Sequence, residues 1–380
     1  MKEIHIGLIG AGFIGTFISG GFYNIRKAYG TEVVPVFEAV AEPAEALAKK
    51  AQDTFGYKKI YSDWKELIAD EAVDLVIVAT PNNTHKDIAI AAAKAGKHMF
   101  CEKPLSISVD ESREIAEAVE KSGIISLVDF IYTRCPVQDY AKELIDTGKL
   151  GEIVSFRAEF DCLYCADPKT PMTWRQYAKL AGTGALGDLT SHLVALSDML
   201  VGNSMGKIKE VCAVWDTPYS ERIEPKTGEM AKVDTDDQIY ILLKYENGRI
   251  GQMSSSRIVH GKGCSMGYEV EGSKGTIKYN VQRLNELQYA DADADPAQIG
   301  FKTIDGNPRH GEYGNFSAMG ALGVSYAEVM CMQAHKLLKA VAENTSIDID
   351  IPYGYYVERV CGAMERSARE KRWVAIEEVK

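Results

Sequence analysis

The sequence Ile4-His-Ile-Gly-Leu-Ile-Gly10-Ala-Gly12-Phe-Ile-Gly15 predicts the fold of the first part of the chain. Its apolar half predicts a β-strand that runs directly into a G-x-G-x-x-G turn, and Thr16 to Tyr29 predicts the helix that follows. Gly10 allows the tight turn, Gly12 lets a pyrophosphate approach the backbone, and Gly15 lets the helix pack closely on the strand. Free N–H groups at the helix start favour phosphate. The stretch therefore predicts a βα corner that binds a dinucleotide.

An acidic residue after the second predicted strand indicates which dinucleotide is bound. Residues 32–41 predict this strand, and Glu42-Pro43 follows it. A carboxylate there accepts hydrogen bonds from ribose hydroxyls and repels a 2′-phosphate, so NAD is favoured over NADP. Glu42 lies later than the usual spacing of about 20 residues, because 19–30 looks like an insertion, and Glu38 is therefore a rival. We prefer Glu42, since Glu38 falls inside the strand, and the alternative for either glutamate is a solvated edge charge.

Predicted strands and helices alternate as far as residue 130, and the pattern then changes. Alternation predicts a doubly wound parallel sheet, built from helices 44–55, 64–69, 85–95 and 110–122 and strands 73–79, 98–101 and 124–129. Later strands follow one another without long helices between them, which indicates an antiparallel sheet; they are 152–160, 209–215, 237–245, 249–256, 266–271 and 275–279, with helices at 140–146, 325–343 and 355–370. The predicted fold class is α/β: a Rossmann domain, residues 1–130, and an α+β substrate-binding and oligomerisation domain, residues 131–380, with a large, mainly antiparallel open sheet.

Composition narrows the class of protein. A chain of 380 residues suits two domains. Its net charge of −11 argues against nucleic-acid binding, and the absence of a leader or a long apolar run leads us to expect a cytoplasmic protein without membrane contact. The eight scattered cysteines predict reduced thiols, and Cys162-x-x-Cys165 predicts core packing rather than a metal site. The acidic run 291–295 predicts a solvated hairpin rather than a calcium loop, so we expect no metal.

One motif, Glu102-Lys103-Pro104, directly follows strand 98–101, where the cofactor crevice of a parallel sheet is expected. Further motifs accompany it in order along the first half of the chain: Gly10 to Gly15, Ala41 to Pro43, Ala79 to Asn82 with His85, Leu150 to Ile153, Trp174-Arg175, and Gly182 to His192. In these motifs the chain resembles the Gfo/Idh/MocA oxidoreductases, named for glucose-fructose oxidoreductase, inositol dehydrogenase and a rhizopine-catabolism protein.

The resemblance implies that Lys103, Asp188 and His192 are the catalytic residues. Oxidation of a secondary alcohol needs a hydride acceptor, a base for the hydroxyl proton and a positive group near the alkoxide. Asp188 and His192 are four residues apart, which places them on one side of a helix. We expect His192 to act as general base or acid, Lys103 to stabilise the alkoxide, and Asp188 to orient the substrate. Lys103 and His192 could exchange roles.

Residues at the strand ends are expected to bind the ligands. With the glycine turn and Glu42, the expected cofactor-binding set is Phe13, Ile14, Thr80, Pro81, Asn82, His85, Glu102 and Lys103. Indole faces stack on sugar rings and guanidinium groups bind hydroxyls, so Arg134, Trp174 and Arg175 are expected to join Asp188 and His192 at the substrate. The alternative for Trp174 is core packing.

The resemblance thus implies an NAD(H)-dependent oxidoreductase that acts on a secondary hydroxyl of a sugar, glycoside or cyclitol, with C3 oxidation of a glycoside as the leading specific hypothesis. One alternative is an NAD-using glycosidase that works by transient oxidation and elimination. Another is a redox-silent NAD-binding sensor. An open sheet with an exposed apolar face needs a partner, so we expect a homo-oligomer, either a dimer, a tetramer or a larger assembly.

Overall fold

The computed structural model describes residues 2–380, which divide into two compact units. The first unit runs as far as Arg134 and also contains Ser325–Tyr356, and the second contains Cys135–Val324 and Val357–Lys380. The domain boundary predicted at residue 130 would place 325–356 in the second domain. In the structure this segment lies in the first unit. The helices, numbered in chain order, are α1 (Phe13–Tyr29), α2 (Glu45–Phe55), α3 (Trp64–Ala69), α4 (His85–Lys94), α5 (Val109–Ser122), α6 (Pro136–Asp146), α7 (Ala178–Ala181), α8 (Ser191–Met205), α9 (Tyr326–Glu343) and α10 (Ile351–Glu370).

A parallel sheet forms the centre of the first unit. In the described chain it has six strands in the order β3-β2-β1-β4-β5-β6, and every neighbouring pair is parallel. The strands are β1 (Lys2–Ile9), β2 (Val33–Ala41), β3 (Lys59–Tyr61), β4 (Leu75–Val78), β5 (His98–Cys101) and β6 (Ser126–Val128). The predicted doubly wound sheet is confirmed.

Burial explains why these strands are central. All of β4 is buried, and Leu75, Val76, Ile77 and Val78 expose no surface, as expected of a parallel strand covered on both faces. The return of α9 to this unit follows from close helix packing. A Cβ on Gly21 of α1 would lie 2.6 Å from Met330 Cγ of α9, so only glycine allows the two helices to approach this closely.

The second unit contains a large mixed sheet. Within the described residues its nine strands have the order β16-β15-β14-β13-β7-β12-β11-β8-β17, and the β7–β12 pair is parallel while the others are antiparallel. The strands of this unit are β7 (Ile153–Cys162), β8 (Ile208–Asp216), β9 (Glu221–Ile223), β10 (Met230–Lys232), β11 (Gln238–Tyr245), β12 (Ile250–Ser256), β13 (Cys264–Gly272), β14 (Gly275–Asn280), β15 (Glu286–Asp291), β16 (Lys302–Asp305) and β17 (Val374–Ala375), with β9 and β10 forming a separate ribbon. The mainly antiparallel sheet is confirmed.

The two faces of this sheet differ. Along β11, Ile239, Ile241 and Leu243 are buried, while the alternating residues Tyr240 and Leu242 expose more than half of their surface, at 57% and 54%. The exposed residues continue across neighbouring strands, because Val214 of β8 pairs with Tyr240 and is also exposed. One face is thus core and the other is an open, partly apolar surface. In residues 2–380 we find no helix with the length and apolarity needed to cross a bilayer.

Candidate active site

The glycine turn between β1 and α1 leaves room for a ligand beside its backbone. Gly10 adopts a φ of +94°, and a Cβ on Gly15 would lie 1.9 Å from the Gly10 carbonyl oxygen, so both positions require glycine. A Cβ on Gly12 would meet no atom within 4 Å. No side chain caps the first turn of α1, and Phe13 at its start is 87% exposed. The N–H groups of this turn are therefore available to an anion.

The two candidate glutamates occupy different places. Glu42 Oε2 accepts a 2.9 Å hydrogen bond from the Ala11 N–H, inside the glycine turn, and Oε1 accepts one from the Ala44 N–H. Glu38 is buried, forms an ion pair with Lys58 at 2.7 Å, and has Oε2 at 2.9 Å from His5 Nδ1. Burial would raise the pKa of Glu38, but hydrogen bonds from Lys58, His5 and Lys59 lower it to about 2. The carboxylate beside the turn is that of Glu42.

Several predicted site residues lie at the carboxyl ends of β4 and β5. Thr80, Pro81 and Asn82 follow β4, and the Thr84 hydroxyl donates to Thr80 Oγ1 at 2.6 Å. His85 is fully buried, with its ring nitrogens 2.8 Å from the Thr80 carbonyl oxygen and 3.1 Å from that of Pro104. Burial lowers the pKa of His85. A neutral imidazole has one N–H, so His85 donates to one of these two carbonyl oxygens while its ring lies against both strand-end loops.

The loop after β5 carries Lys103 on a supported backbone. Lys103 is partly exposed, whereas Glu102 before it is only 7% exposed. Glu102 Oε2 accepts a 3.0 Å hydrogen bond from the Lys103 N–H. The Glu102 carboxyl group is thus buried within the unit and fixes the backbone of Lys103 through this hydrogen bond.

Arg134, expected at the substrate, has a partner within the first unit. Its two terminal nitrogens donate to Asp348 at 3.1 and 2.6 Å, and the pair is a fork of the kind that arginine forms with carboxylates. The Asp348 pKa falls far below its usual range because the hydrogen bond and charge of Arg134 outweigh the effect of burial. Two of the guanidinium N–H groups are therefore already used.

In the second unit, Asp188 lies in a polar cluster. Asp188 Oδ2 accepts a 2.7 Å hydrogen bond from the Tyr164 hydroxyl and lies 3.6 Å from Arg175 Nε. The Arg175 guanidinium also stacks over the Trp174 ring, 4.4 Å from its centroid. Three predicted residues, Trp174, Arg175 and Asp188, are thus brought together, and Tyr164 joins them.

The helix that carries Asp188 and His192 is wider at its start than a regular α-helix. Leu186–Thr190 forms a π-helical turn, and α8 begins at Ser191. Single π turns are frequent at functional sites. The start is fixed by Asp236, whose carboxylate accepts hydrogen bonds from the Gly184 and Leu186 N–H groups at 2.6 and 2.8 Å. His192 is 5% exposed and packs with its ring 5.9 Å from that of Phe160.

Comparison with known proteins identifies the family. A model of an oxidoreductase family with an NAD-binding Rossmann fold, GFO/IDH/MocA, matches residues 4–130, and the GFO/IDH/MocA C-terminal domain matches residues 139–278. Together the two models cover more than half of the chain. The chain belongs to the GFO/IDH/MocA oxidoreductases.

Individual GFO/IDH/MocA proteins resemble this chain over most of its length. Levoglucosan dehydrogenase from Pseudarthrobacter phenanthrenivorans is 33% identical over 389 residues, which covers 100% of both chains. A solved structure of levoglucosan dehydrogenase in complex with NADH and levoglucosan has a TM-score of 0.93 and 35% identity, and the match covers 99% of this chain and 100% of that one. Glucose-6-phosphate 3-dehydrogenase from Bacillus subtilis is 30% identical, and the match covers 74% of this chain and 75% of that protein.

As a GFO/IDH/MocA oxidoreductase, the protein uses NAD, and its first unit fits that cofactor. The open space beside Gly12, the uncapped N–H groups of α1 and the Glu42 carboxylate beside them supply a phosphate cradle and a ribose acceptor. Among residues 2–380, no group of three or more His, Cys, Asp or Glu side chains is placed to hold a metal ion. Cys162 and Cys165 are both buried, and Cys165 Sγ accepts a 3.3 Å hydrogen bond from Gln176 Nε2.

This GFO/IDH/MocA chain contains site residues that the sequence analysis missed. Tyr164 lies between the two thiols of the Cys162-x-x-Cys165 motif, and its contact with the distant Asp188 leaves no signal in the local sequence. Arg257, which is almost completely buried, pairs with Asp237 at 2.9 Å and donates to the Arg175 carbonyl oxygen at 3.3 Å. Three charged residues that adjoin apolar strands, Asp236, Asp237 and Arg257, are the signal that could have revealed this support for Arg175.

Proposed function

We propose that the protein oxidises a secondary hydroxyl of a cyclic sugar, glycoside or cyclitol with NAD+, and that C3 is the carbon that becomes a ketone. The main support for this proposal is the cluster formed by Tyr164, Trp174, Arg175 and Asp188. His192 follows Asp188 on the same helix. The cluster combines an indole face, a guanidinium and a carboxylate, which are the groups that bind the ring and hydroxyls of a sugar.

The relatives support both parts of the proposal. Levoglucosan dehydrogenase, which matches the whole chain, is named for an anhydro sugar, and its solved complex contains NADH with levoglucosan. The name of glucose-6-phosphate 3-dehydrogenase places oxidation at carbon 3. A cyclic sugar with a free C3 hydroxyl is therefore the substrate class that we test first.

Residues of this chain remove the proton of the reacting hydroxyl group and stabilise the charge that develops on its oxygen. NAD+ held by the Gly12 turn and Glu42 would supply the acceptor for the hydride that leaves the carbinol carbon. His192 takes the hydroxyl proton, since a reference pKa of about 6.5 suits transfer near neutrality. The Lys103 ammonium donates a hydrogen bond to the developing alkoxide. Asp188 accepts a hydrogen bond from a neighbouring hydroxyl and so fixes which carbon reacts.

The phosphate cradle and the strand-end loops hold the cofactor. The Gly12 backbone and the first turn of α1 would bind the pyrophosphate, and the Glu42 carboxylate would accept hydrogen bonds from the ribose hydroxyls. Thr80, Pro81 and Asn82 line the nicotinamide side. The buried His85 keeps this loop and the Lys103-Pro104 loop at a fixed separation.

A substrate screen tests the proposal. Purified protein is incubated with NAD+ and, separately, levoglucosan, glucose, methyl glucosides, glucose 6-phosphate and myo-inositol, and NADH and keto products are measured together. We expect NADH and a keto sugar in equal amounts with at least one cyclic sugar. Release of an aglycone without net NADH would instead establish a glycosidase, and NAD binding without turnover on any compound would establish a sensor.

A further inference from the structure

A loop of the second unit carries three residues of the proposed substrate site. This loop, which we call the site loop, covers residues 163–176 and follows β7. Tyr164 lies near its start, and Trp174 and Arg175 lie near its end. Residues 163–173 form neither helix nor strand, so the shape of the loop depends on its contacts with other segments.

Arg222, in the middle of β9, binds the backbone of the site loop. Its Nη2 donates a 2.6 Å hydrogen bond to the Cys165 carbonyl oxygen, and its Nη1 donates to those of Asp167 and Thr170 at 2.9 and 3.2 Å. The arginine exposes no surface. Three carbonyl oxygens of the site loop therefore converge on one buried guanidinium group.

The β9–β10 ribbon supports Arg222 and also contacts the site loop directly. Within the ribbon, Arg222 pairs with Ala231 of β10. The Tyr219 ring lies against the guanidinium, with its centroid 5.2 Å from the central carbon. Beside Arg222, the Ile223 carbonyl oxygen accepts a 2.8 Å hydrogen bond from the Met172 N–H. The ribbon thus contacts the site loop through its backbone as well as through Arg222.

These contacts fix the residue next to Tyr164 on both sides. The Cys165 carbonyl oxygen accepts from Arg222, and the Cys165 N–H donates to the Arg257 carbonyl oxygen at 2.9 Å. Tyr164 directly precedes Cys165, and its hydroxyl donates to Asp188. A change in the backbone at Cys165 would therefore displace the Tyr164 hydroxyl from the carboxylate that we assign to substrate orientation.

The acceptors explain why an arginine occupies this position. Among residues 2–380, every hydrogen-bond acceptor of Arg222 is a carbonyl oxygen of the site loop, and none is a carboxylate. A guanidinium presents its N–H groups in a fixed plane and can bind several acceptors at once, whereas an ammonium group has no such fixed geometry. Burial of this charge is unfavourable unless the hydrogen bonds form. The guanidinium therefore favours the loop conformation that supplies all three oxygens.

We propose that Arg222 is a positioning residue, which fixes Tyr164 and Trp174 through the backbone of the site loop and so sets the affinity for the sugar. The proposed catalytic residues Lys103 and His192 lie outside this loop, so Arg222 acts on substrate binding more than on hydride transfer. This inference rests on the proposed function for its role in turnover, whereas the effect of Arg222 on the loop is testable without substrate.

Two substitutions of Arg222 and one matched control test the proposal. Arg222→Met removes all three hydrogen bonds but keeps an unbranched side chain. Arg222→Lys keeps the charge, although one ammonium group cannot reproduce the geometry of the guanidinium. Lys232→Met is the control, because it removes a cation from an exposed position of the neighbouring strand β10.

Hydrogen exchange followed by mass spectrometry tests the effect on the loop in the absence of substrate. Peptides from 163–173 should exchange at least about tenfold faster in Arg222→Met than in wild type, since hydrogen bonds to a charged group are lost. Arg222→Lys should give an intermediate rate, and Lys232→Met should give the wild-type rate. Peptides from β11 should keep the wild-type rate in every variant, which separates release of the loop from unfolding of the unit.

Unchanged exchange of the site loop in both Arg222 variants would overturn the proposal. If Arg222→Met does not fold, Arg222→Lys decides by itself, and a wild-type rate for its loop would overturn the proposal equally. Exchange in β11 that rises as much as in the loop would also overturn it, because Arg222 would then stabilise the whole unit rather than the site loop.

Steady-state kinetics tests the positioning role. With a sugar that wild type oxidises, Arg222→Met should raise the KM for that sugar about tenfold and change kcat and the KM for NAD+ much less, as a loss of ground-state binding does. Arg222→Lys should retain part of the affinity. General destabilisation would instead reduce the amount of active enzyme, and with it kcat, at an unchanged KM.

An unchanged KM for the sugar in the Arg222 variants that fold would therefore contradict the positioning role, whatever the change in kcat. If wild type oxidises no sugar at all, the proposed function fails, and the exchange rates still decide whether Arg222 fixes the site loop.

Discussion

The Tyr164 hydroxyl donates a 2.7 Å hydrogen bond to Asp188 Oδ2. Desolvation and the charge of the Asp188 carboxylate raise the pKa of Tyr164 well above its usual range, which favours the protonated phenol as the donor. The hydroxyl thereby fixes one oxygen of the carboxylate that we assign to substrate orientation.

Tyr164→Phe should leave the Asp188 carboxylate in the site but with a less fixed orientation. Loss of a hydrogen bond to a charged group costs about 1.5–3 kcal/mol, so kcat/KM for the sugar should fall by about tenfold or more. Steady-state kinetics with sugar and NAD+ varied in turn measures this, and the KM for NAD+ should not change. Tyr240→Phe, on the exposed face of the second sheet, is the matched control and should behave as wild type. An equal loss in both variants would refute the role of Tyr164.

Removal of either proposed proton-handling group should greatly slow turnover but leave cofactor binding intact. For Lys103→Met and His192→Asn we expect kcat to fall by about 10²- to 10⁴-fold, the range typical of general acid–base groups. NADH binding, measured by fluorescence titration, should stay close to wild type. The pH profiles of the residual activity show which of the two groups acts as the base. Retention of near-normal kcat by either variant would exclude that residue from the reaction.

Glu42 should control cofactor affinity. Glu42→Gln weakens the hydrogen bonds from the ribose hydroxyls, so the Kd for NADH should rise by about tenfold. It also removes the charge that repels a 2′-phosphate, so the preference for NADH over NADPH should become smaller. Isothermal titration with both nucleotides measures this. Unchanged selectivity would mean that another residue faces the ribose.

Glu38→Gln is the control for Glu42→Gln. Its effect on the free energy of unfolding should depend on pH. The pKa of Glu38 in the folded protein is about 2, below the unfolded value of about 4.3, so its ion pairs stabilise the protein above that unfolded value. Because Lys58 and Lys59 are about half exposed, we expect a loss of only about 1–2 kcal/mol at pH 7. The difference from wild type in urea unfolding should shrink as pH falls from about 5 towards 2. NADH affinity should stay unchanged.

The exposed face of the second sheet should mediate self-association. Tyr240, Leu242 and Val214 alternate with buried residues and form a continuous apolar strip across β11 and β8. Leu242→Glu places a charge in that strip and should convert the oligomer to smaller species in light scattering coupled to gel filtration. Lys244→Glu, on the same face but already charged, is the control. A monomeric wild-type protein would contradict this expectation.

The sequence predicted the parallel sheet well because its signals are local. The strand leading into Gly10 and the buried run Leu75 to Val78 each carry a pattern that one element imposes on its own residues. The same holds for the strand alternation of β11, where buried and exposed residues follow a period of two.

What the sequence could not predict depends on contacts between distant segments. The return of 325–356 to the first unit rests on the fit of Met330 against Gly21, which no local pattern encodes. The π turn at 186–190 is fixed by Asp236, about 50 residues away. Tyr164 was missed for a similar reason, because its partner Asp188 lies on another element.

Isotope transfer from substrate to cofactor shows which carbon of the sugar is oxidised. Levoglucosan carrying deuterium at C3 is incubated with the protein and NAD+, and the reduced cofactor is analysed by mass spectrometry, with sugar deuterated at C2 or C4 as the comparison. We expect deuterated NADH from the C3-labelled sugar alone. Unlabelled NADH from that sugar, or label delivered from C2 or C4, would contradict oxidation at C3, and the absence of any reduced cofactor with this sugar and with the wider panel would contradict the proposed activity itself.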